Sequence, residues 1–330
     1  MTDPVVSVII VSWNVRDLLR RCLQSVLISP GFAAGAVEII VVDNASADGT
    51  PDLVRAEFPG VLLLANAENA GFTAGCNQGL AAATGRYDLL LNPDTELVGN
   101  ALAAMVRVLD ADGGIALVGP RLVHPEGDVQ PSRRRFPTLA TAFVESTVLQ
   151  GLFAQSGVLN RYYLRDRSDN EEQDTDWLVG ASLLVRRSVV EQVGGLDEGF
   201  FMYSEELDWC RRIKAAASPG GALWRIRYTP AATIIHYEGR SSNQAIPARH
   251  IDFQSSKVRY FRKYHGPVAA ALLRYFLLAT YVWQLAEESA KWLLGSKRPL
   301  RADRVRAYAQ VITSGLRRRQ APIPREGEPR

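Results

Sequence analysis

An acidic cluster directly follows a short apolar run in this sequence, and its residue types could hold a metal ion. The apolar run is Tyr87-Asp88-Leu89-Leu90-Leu91, and Asn92-Pro93-Asp94-Thr95-Glu96 follows it. A strand that ends there places Asp94 at the carboxyl edge of a sheet, where open α/β sheets bind ligands. A divalent cation held by one or two carboxylates and by phosphates is how proteins handle a nucleoside diphosphate. An Asn-Pro-Asp sequence is also a common plain turn, so its neighbours decide between the two.

A second carboxylate, Asp43, ends the apolar run Val37–Val42. It can accept the imide N–H of uracil or thymine, a donor that adenine lacks. The residue could equally start a turn or cap the next helix. Taken alone, Asp43 leaves both readings open.

A glycine-containing segment, Asn69-Ala70-Gly71-Phe72-Thr73-Ala74-Gly75-Cys76-Asn77, opens a predicted helix. Glycines there allow close backbone approach, and free N–H groups at a helix start favour an anionic or polyol ligand. The alternative is that these glycines serve helix packing.

Three acids in four positions follow an aromatic run in Ser204-Glu205-Glu206-Leu207-Asp208. Ser204 is a good N-cap, which places Glu205 and Glu206 in the first helical turn. The helix dipole favours their ionised form there, and an ionised carboxylate can act as a general base. Asp208 lies a turn further on and could instead pair with Arg211 or Arg212.

Two further segments could complete a site. His236 ends a predicted strand and could ligate a metal or contact a diphosphate, although a lone histidine is usually packed or solvated. Arg240 could pair with phosphate. Trp177 beside the small residues Gly180 and Ala181 could form a platform for a sugar acceptor, or simply be core.

The elements around these residues alternate between strand and helix, which predicts a doubly wound parallel sheet. Arg121–Asp176 reads as a loop with some helix. Strands are predicted at Val5–Trp13, Val37–Val42, Val61–Ala65, Tyr87–Leu91, Ile115–Gly119, Ser182–Val185, Ala222–Tyr228 and Thr233–His236, and helices after Asn14, at Pro51–Glu57, Ala74–Ala83 and Val98–Ala111 and at Ser204.

Composition describes an ordinary globular protein of 330 residues with an uneven charge. From Lys291 onward there are eleven Lys or Arg and three Asp or Glu, a net charge of +8, so the total of +3 leaves −5 for residues 1–290. This balance argues against nucleic acid as a partner of the body. Three widely spaced cysteines and no recognisable signal peptide predict a cytoplasmic protein with reduced thiols.

The C-terminal part has the composition of a membrane-associating region. Pro267–Ala286 is apolar and long enough to span a bilayer, but Arg274 interrupts it. Its aromatic residues suit an interface and the basic positions beyond it suit anionic headgroups, which predicts attachment at the inner membrane face. A helix packed on the body is the alternative. The predicted domains are 1–245, a helical region 246–318 and a disordered tail 319–330.

Together these stretches resemble the inverting glycosyltransferases of family 2, which have the GT-A fold, and most closely their bacterial rhamnosyltransferase branch. The resemblance covers about residues 5–245. It is carried by Val8–Asn14, Val41–Ser46, Asn69–Phe72, Leu91–Asp94, Trp177–Ala181, Gly194–Glu198, Glu205–Asp208 and His236–Gly239.

The resemblance implies a Rossmann-like, mostly parallel sheet flanked by helices, and a role for each matching residue. Glu206 is implied as the catalytic base, Asp94 and His236 as ligands of Mg2+ or Mn2+, and Asp43 as the contact to the pyrimidine. Asn92 replaces the first aspartate of the family's two-aspartate motif. Nucleotide-sugar contacts are expected from Ser12, Asn14, Asp43, Asn44, Asn69, Gly71, Phe72, Asn77, Asn92, Asp94 and Arg240, and acceptor contacts from Trp177, Gly180, Ala181, Glu205 and Asp208.

The expected reaction is transfer of a sugar from a dTDP- or UDP-sugar, with L-rhamnose as the preferred guess, to a lipid-linked or polysaccharide acceptor. The alternative is an inactive sugar-nucleotide or glycan-binding module, with Asn92 as a mark of decay. A nicotinamide-dependent dehydrogenase is excluded because no Gly-x-Gly-x-x-Gly follows the first strand.

Overall fold

The structure is a computed structural model that describes residues 4–238, 246–295 and 297–317. It divides the chain into two compact units. The first consists of Met1–Glu145 with Leu149–Gln244, and the second of Ser146–Val148 with Ala245–Arg330. The predicted tail 319–330 lies outside the described residues.

The first unit is a mixed sheet with helices. Its strands are β1 Val6–Ser12, β2 Val37–Asp43, β3 Leu62–Ala65, β4 Tyr87–Leu91, β5 Thr95–Val98, β6 Ile115–Val123, β7 Val129–Gln130, β8 Arg133–Arg134, β9 Gln173–Thr175, β10 Trp177–Leu178, β11 Ser182–Arg186 and β12 Arg225–His236. Its helices are α1 Arg16–Leu27, α2 Thr50–Glu57, α3 Phe72–Ala82, α4 Ala101–Ala111, α5 Leu139–Val144, α6 Gly157–Tyr162, α7 Arg187–Val193 and α8 Glu205–Ala215.

The main sheet has the strand order β3-β2-β1-β4-β11-β6-β12-β5. Its first four strands are parallel and form the predicted doubly wound half. All seven residues of β1 are buried, as expected for a parallel strand that helices cover on both faces. The carboxyl ends of β1, β2 and β4 therefore lie at one edge of the sheet.

Two antiparallel strands bring distant segments to that edge. Strand β11 pairs antiparallel with β4, so its first residue Ser182 lies opposite Leu91 at the end of β4. Strand β5 pairs antiparallel with the end of β12, and His236 lies opposite Thr95. Residues before β11 and at the end of β12 thus meet the acidic cluster that follows β4.

Three expectations about the elements were wrong in detail. The segment before α4 forms β5, an edge strand that the helical pattern had concealed. The two predicted strands 222–228 and 233–236 are one strand, β12, whose pairing with β6 shifts register between Thr229 and Thr233. The segment 121–176, predicted as a loop with some helix, does contain the helices α5 and α6, but it also contains the strands β7, β8 and β9, which were not expected.

The second unit is helical. It contains α9 Ile246–Leu293 and α10 Arg298–Ser314. Helix α9 has a non-helical residue at Gly266, whose φ of +86° and the following Pro267 interrupt the helical ladder. The buried Glu288 of α9 accepts hydrogen bonds from Arg301 at 2.6 Å and Arg304 at 3.2 Å, which tie α10 to α9.

Candidate active site

The ends of β1 and β2 supply a buried acceptor. Asp43 lies opposite Ser12, and both side chains are buried. One Asp43 oxygen, Oδ2, accepts the Ser46 N–H at 2.9 Å, so the turn reading of this residue is right. The other oxygen, Oδ1, and the Ser12 hydroxyl have no hydrogen-bond partner within the described residues. An unpartnered buried acceptor needs a donor, and an imide N–H would supply one.

Asn14 and Asn44 support the loops around Asp43. The Asn14 N–H donates to Ser46 Oγ at 2.9 Å, and its Oδ1 accepts the Ala47 N–H at 2.7 Å. Asparagine is a common N-cap residue and Asn14 directly precedes the first helical segment, which would predict a cap there, but Val15 holds the N-cap position of α1. Asn44 donates to the carbonyl oxygen of Gly71 at 3.0 Å.

The segment before α3 has a backbone conformation that requires glycine. Gly71 has a φ of +94°, and a Cβ built on it would overlap the ring of Phe201. Asn69 Oδ1 accepts the Gly71 N–H at 3.0 Å. The N–H groups of Phe72 and Thr73 both donate to the carbonyl oxygen of Phe201, at 2.9 and 3.3 Å. The expectation of free N–H groups for an anion at this helix start was therefore wrong for these two residues.

Two predicted contact residues are fully used inside the protein. The Asn77 side chain donates to Leu196 O and accepts the Leu196 N–H, both at 2.9 Å. Asp208 is 0% exposed and its Oδ2 accepts from Arg212 Nε at 2.9 Å. Because a buried, paired carboxylate cannot reach an acceptor, Asp208 is corrected to the structural role, with Arg212 as its partner.

Asp94 and His236 face each other after β4 and at the end of β12. Both are buried, and His236 Nε2 lies 3.6 Å from Asp94 Oδ1. Two ligands that are each about 2.1 Å from one ion lie at most about 4.2 Å apart, so this pair can share a cation. Arg240, the predicted phosphate contact, lies outside the described residues.

Asn92 lies two residues before Asp94 in the chain and, among the described residues, also has an unpartnered side-chain oxygen. Its backbone N–H donates to Ala181 O at 2.9 Å, which joins the cluster after β4 to the segment before β11. Its Oδ1 is buried and has no hydrogen-bond partner in the described part of the chain. No group of three or more His, Cys, Asp or Glu within the described ranges is arranged as a complete metal cage. The residues present fit a cation that takes its remaining ligands from phosphates and water.

Glu206 is the second residue of helix α8 and packs against Gly180, in the segment before β11. A Cβ on Gly180 would lie 3.4 Å from Glu206 Cγ, at van der Waals distance, so the Glu206 side chain lies directly beside this segment. The backbone N–H of Gly180 favours the charged form of this carboxylate and so lowers its pKa, against the effect of burial. Its Oε2 is buried without a hydrogen-bond partner among the described residues, and is the oxygen able to take a proton.

Burial governs the charge of both glutamates in the first turn of α8. It raises the pKa of Glu206, against smaller opposing effects of backbone N–H groups and of Arg134. It raises the pKa of Glu205 well above its usual range, and the neighbouring Glu206 charge raises it further. The expected dominance of the helix dipole was therefore wrong, and Ser204 makes no side-chain cap bond. At 4% exposed, Glu205 has little surface for the predicted acceptor contact.

Arg134 and Tyr163 of the segment 121–176 lie near Trp177, which directly follows that segment, and the Arg134 charge lowers the pKa of Glu206. Trp177 is buried and donates from Nε1 to Arg135 O at 3.0 Å. The Arg134 guanidinium lies 4.5 Å from the ring centre of Tyr163 and 6.0 Å from that of Trp177. Arg134 and the glutamine Gln130, described below, were missed because this segment carries no regular period.

The chain is similar to known proteins over most of its length. The sequence model of Glycosyl transferase family 2 matches residues 7–194. An N-acetylglucosaminyl-diphospho-decaprenol L-rhamnosyltransferase of Mycobacterium tuberculosis is 29% identical over 76% of this chain and 81% of its own. The Rhamnosyltransferase WbbL of Escherichia coli is 34% identical over 46% of this chain and 52% of its own.

A solved structure shares the fold. It is the mannosyltransferase PcManGT of Pyrobaculum calidifontis, in complex with GDP-Man and Mn2+. Its TM-score is 0.54 at 19% identity, and the match covers 96% of this chain and 88% of that one.

Proposed function

The chain belongs to Glycosyl transferase family 2, and we propose on this premise that it transfers a sugar, with inversion, from a nucleoside diphosphate to a hydroxyl acceptor. The observation that carries the proposal is the unpartnered Oε2 of Glu206 at the sheet edge that also holds Asp94. Asn92, hydrogen-bonded to Ala181, lies between the Asp94 loop and the Gly180 segment against which Glu206 packs. We therefore propose that Asp94, as the metal ligand, and Glu206, as the base, act on the same donor sugar.

In this mechanism the donor lies along the ends of β1, β2 and β4. Asp43 Oδ1 accepts the imide N–H of a thymine or uracil base. Asp94 and His236 would hold Mg2+ or Mn2+, which would supply positive charge to offset the charge that develops on the leaving nucleoside diphosphate. Arg240, by its place in the sequence, is proposed to pair with the same phosphates.

Glu206 acts as the general base. Its Oε2 takes the proton of the acceptor hydroxyl while that oxygen attacks the anomeric carbon from the face opposite the diphosphate. The new glycosidic bond forms as the bond to the diphosphate breaks, so the configuration inverts. A carboxylate with a raised pKa is a stronger base near neutral pH than an exposed one.

Relatives suggest the finer substrate choice. The Mycobacterium tuberculosis relative is named for rhamnosyl transfer to a lipid-linked N-acetylglucosaminyl diphosphate. We infer L-rhamnose from dTDP-rhamnose as donor and a lipid-linked or polysaccharide acceptor of cell-envelope glycan synthesis. We place residues 1–245 as the catalytic domain and 246–318 as a membrane-associating region at the inner face of the cell membrane.

The function is tested by assaying the full chain with Mn2+, a lipid-linked acceptor and a panel of nucleoside diphosphate sugars. The assay measures release of the nucleoside diphosphate and the anomeric configuration of the product. Glu206→Gln should lose transfer while donor binding, read by thermal shift, stays nearly intact. Retention of the donor's configuration, or transfer by the variant above about a tenth of the wild-type rate, would contradict the mechanism. Donor binding without any transfer by the wild type would favour the inactive binding module.

A further inference from the structure

A buried glutamine bridges two histidines beside the proposed cation site. Gln130 lies at the end of β7 and is buried. Its amide nitrogen Nε2 lies 2.7 Å from the backbone oxygen of His236 and 2.9 Å from His124 Nδ1. Its oxygen Oε1 lies 2.9 Å from His236 Nδ1. Every polar atom of this amide is therefore engaged.

The contacts fix the orientation of the amide. A backbone carbonyl oxygen can only accept a hydrogen bond, so the Gln130 atom facing His236 O must be the NH2 group. The second amide hydrogen points to His124 Nδ1, which accepts it. The remaining Gln130 atom, Oε1, then faces His236 Nδ1, and this ring nitrogen must donate.

The tautomer of His236 follows from this. With its hydrogen on Nδ1, the neutral imidazole carries its lone pair on Nε2. That nitrogen is the one that faces Asp94 Oδ1 at 3.6 Å. Metal-binding histidines commonly donate their other ring N–H to an acceptor that fixes ring orientation and increases ligand basicity.

We propose that Gln130 is the positioning residue of His236: it holds the imidazole by side chain and backbone at once and presents Nε2 to a divalent cation. The inference rests on the proposed cation site of Asp94 and His236. His124 in turn holds the Gln130 amide in place. Gln130 does not touch the cation and acts only through His236.

The test measures Mn2+ affinity without turnover. Mn2+ is titrated into the full chain with saturating thymidine diphosphate, and binding is followed by the relaxation enhancement of water protons. Gln130→Met keeps the length of the side chain but removes every polar contact, and should weaken Mn2+ binding about 10- to 100-fold. Gln192→Met is the matched control, because the Gln192 amide also makes two hydrogen bonds, to Ala217 O and Trp224 Nε1, elsewhere in this unit.

A double-mutant comparison separates positioning from general stability. Once His236→Ala has removed the imidazole, Gln130→Met should have no further effect on Mn2+ affinity. Gln130→Glu retains an acceptor for Nδ1–H but replaces the donor to His236 O with a second oxygen. If Gln130→Met folds poorly, this variant serves as the second measurement and should weaken Mn2+ binding by a smaller factor, about tenfold.

Three results would decide against the inference or its premise. Unchanged Mn2+ affinity in Gln130→Met overturns the role of Gln130, as does an equal loss with and without His236. A wild-type chain that adds no enhancement to that of Mn2+ with thymidine diphosphate alone overturns the cation site itself.

Discussion

At the scale of single residues, two adjacent carboxyl groups differ in what they can do. Burial raises the pKa of both Glu205 and Glu206, and a buried pair cannot readily carry two charges. Glu206 has the Gly180 N–H to stabilise its charge, whereas Glu205 gains a further upward shift from the Glu206 charge. The directions of these shifts favour the proton on Glu205 and the charge on Glu206, the proposed base.

The state of Glu205 predicts a pH-dependent stability. A folded-state pKa above the unfolded value of about 4.3 means that stability falls as pH rises from there to the folded-state pKa, by at most about 1.4 kcal/mol per pH unit. Glu205→Gln removes this loss. The melting temperature of the variant should therefore exceed that of the wild type by a margin that widens with pH, measured by calorimetry between pH 5 and 8. A constant margin would show that Glu205 is ionised in the folded chain.

At the scale of elements, the site consists of segments that leave or enter strands at one edge of the sheet. The loop after β2, the start of α3 and the cluster after β4 come from the parallel half, and the antiparallel β11 and the end of β12 close it. Hydrogen bonds from Asn44 to Gly71 and from Asn92 to Ala181 join these segments to one another. A substitution in one of these loops should therefore alter the conformation of the loops that are hydrogen-bonded to it.

Gly71 offers the sharpest test of that coupling. Gly71→Ala puts a side chain at a φ of +94° and against the Phe201 ring, so we expect a loss of stability above about 2 kcal/mol and weaker donor binding. Gly35→Ala is the matched control, since Gly35 has a φ of +81° but no atom within 4 Å of a built Cβ. It should cost about 1 to 2 kcal/mol and leave donor binding unchanged, as measured by urea unfolding and calorimetric titration. Equal effects of the two substitutions would remove the Phe201 contact from the explanation.

At the scale of the whole molecule, the second unit combines an apolar helix with basic residues. Helix α9 contains an apolar window sufficient in length and composition to cross a membrane. Tyr275 and Trp283 on this helix are 71% and 67% exposed. Exposed aromatic residues beside a basic helix are typical of a membrane-surface contact.

Vesicle binding tests this proposal. The full chain should sediment with vesicles that contain anionic lipid, and binding should fall as salt rises because screening weakens the basic contribution. Tyr275→Ser with Trp283→Ser should reduce the bound fraction several-fold. The matched control is Leu152→Ser with Phe153→Ser, two exposed apolar residues of the first unit, at 79% and 49%, which should bind as the wild type does. Full binding by the aromatic variant would place any membrane contact elsewhere.

The sequence alone determined the family, the parallel half of the sheet and the position of Asp43, Asp94, Glu206 and His236 at element ends. Hydrophobic runs of strand length and the motifs after them are formed by residues that are neighbours in the chain. Such local patterns can be recognised from the sequence alone. Asp43 shows the limit of local patterns. Its neighbours in the sequence fit both a turn-forming residue and an acceptor for the N–H of a pyrimidine base. The structure gives each of its two oxygens a different environment.

Only the tertiary structure decided which polar side chains have their hydrogen bonds satisfied by partners inside the protein. Asn77 and Asp208 have suitable chemistry, but their partners, Leu196 and Arg212, satisfy them internally. Gln130 has no motif around it and meets His236, 106 residues away, because β7 and β12 both pair with β6. Burial sets the pKa of Glu205 and Glu206 against the helix dipole, and burial depends on neighbours from the whole chain. A hydrogen-bond partner or a desolvated environment is fixed by long-range packing, which the order of residues along the chain does not display.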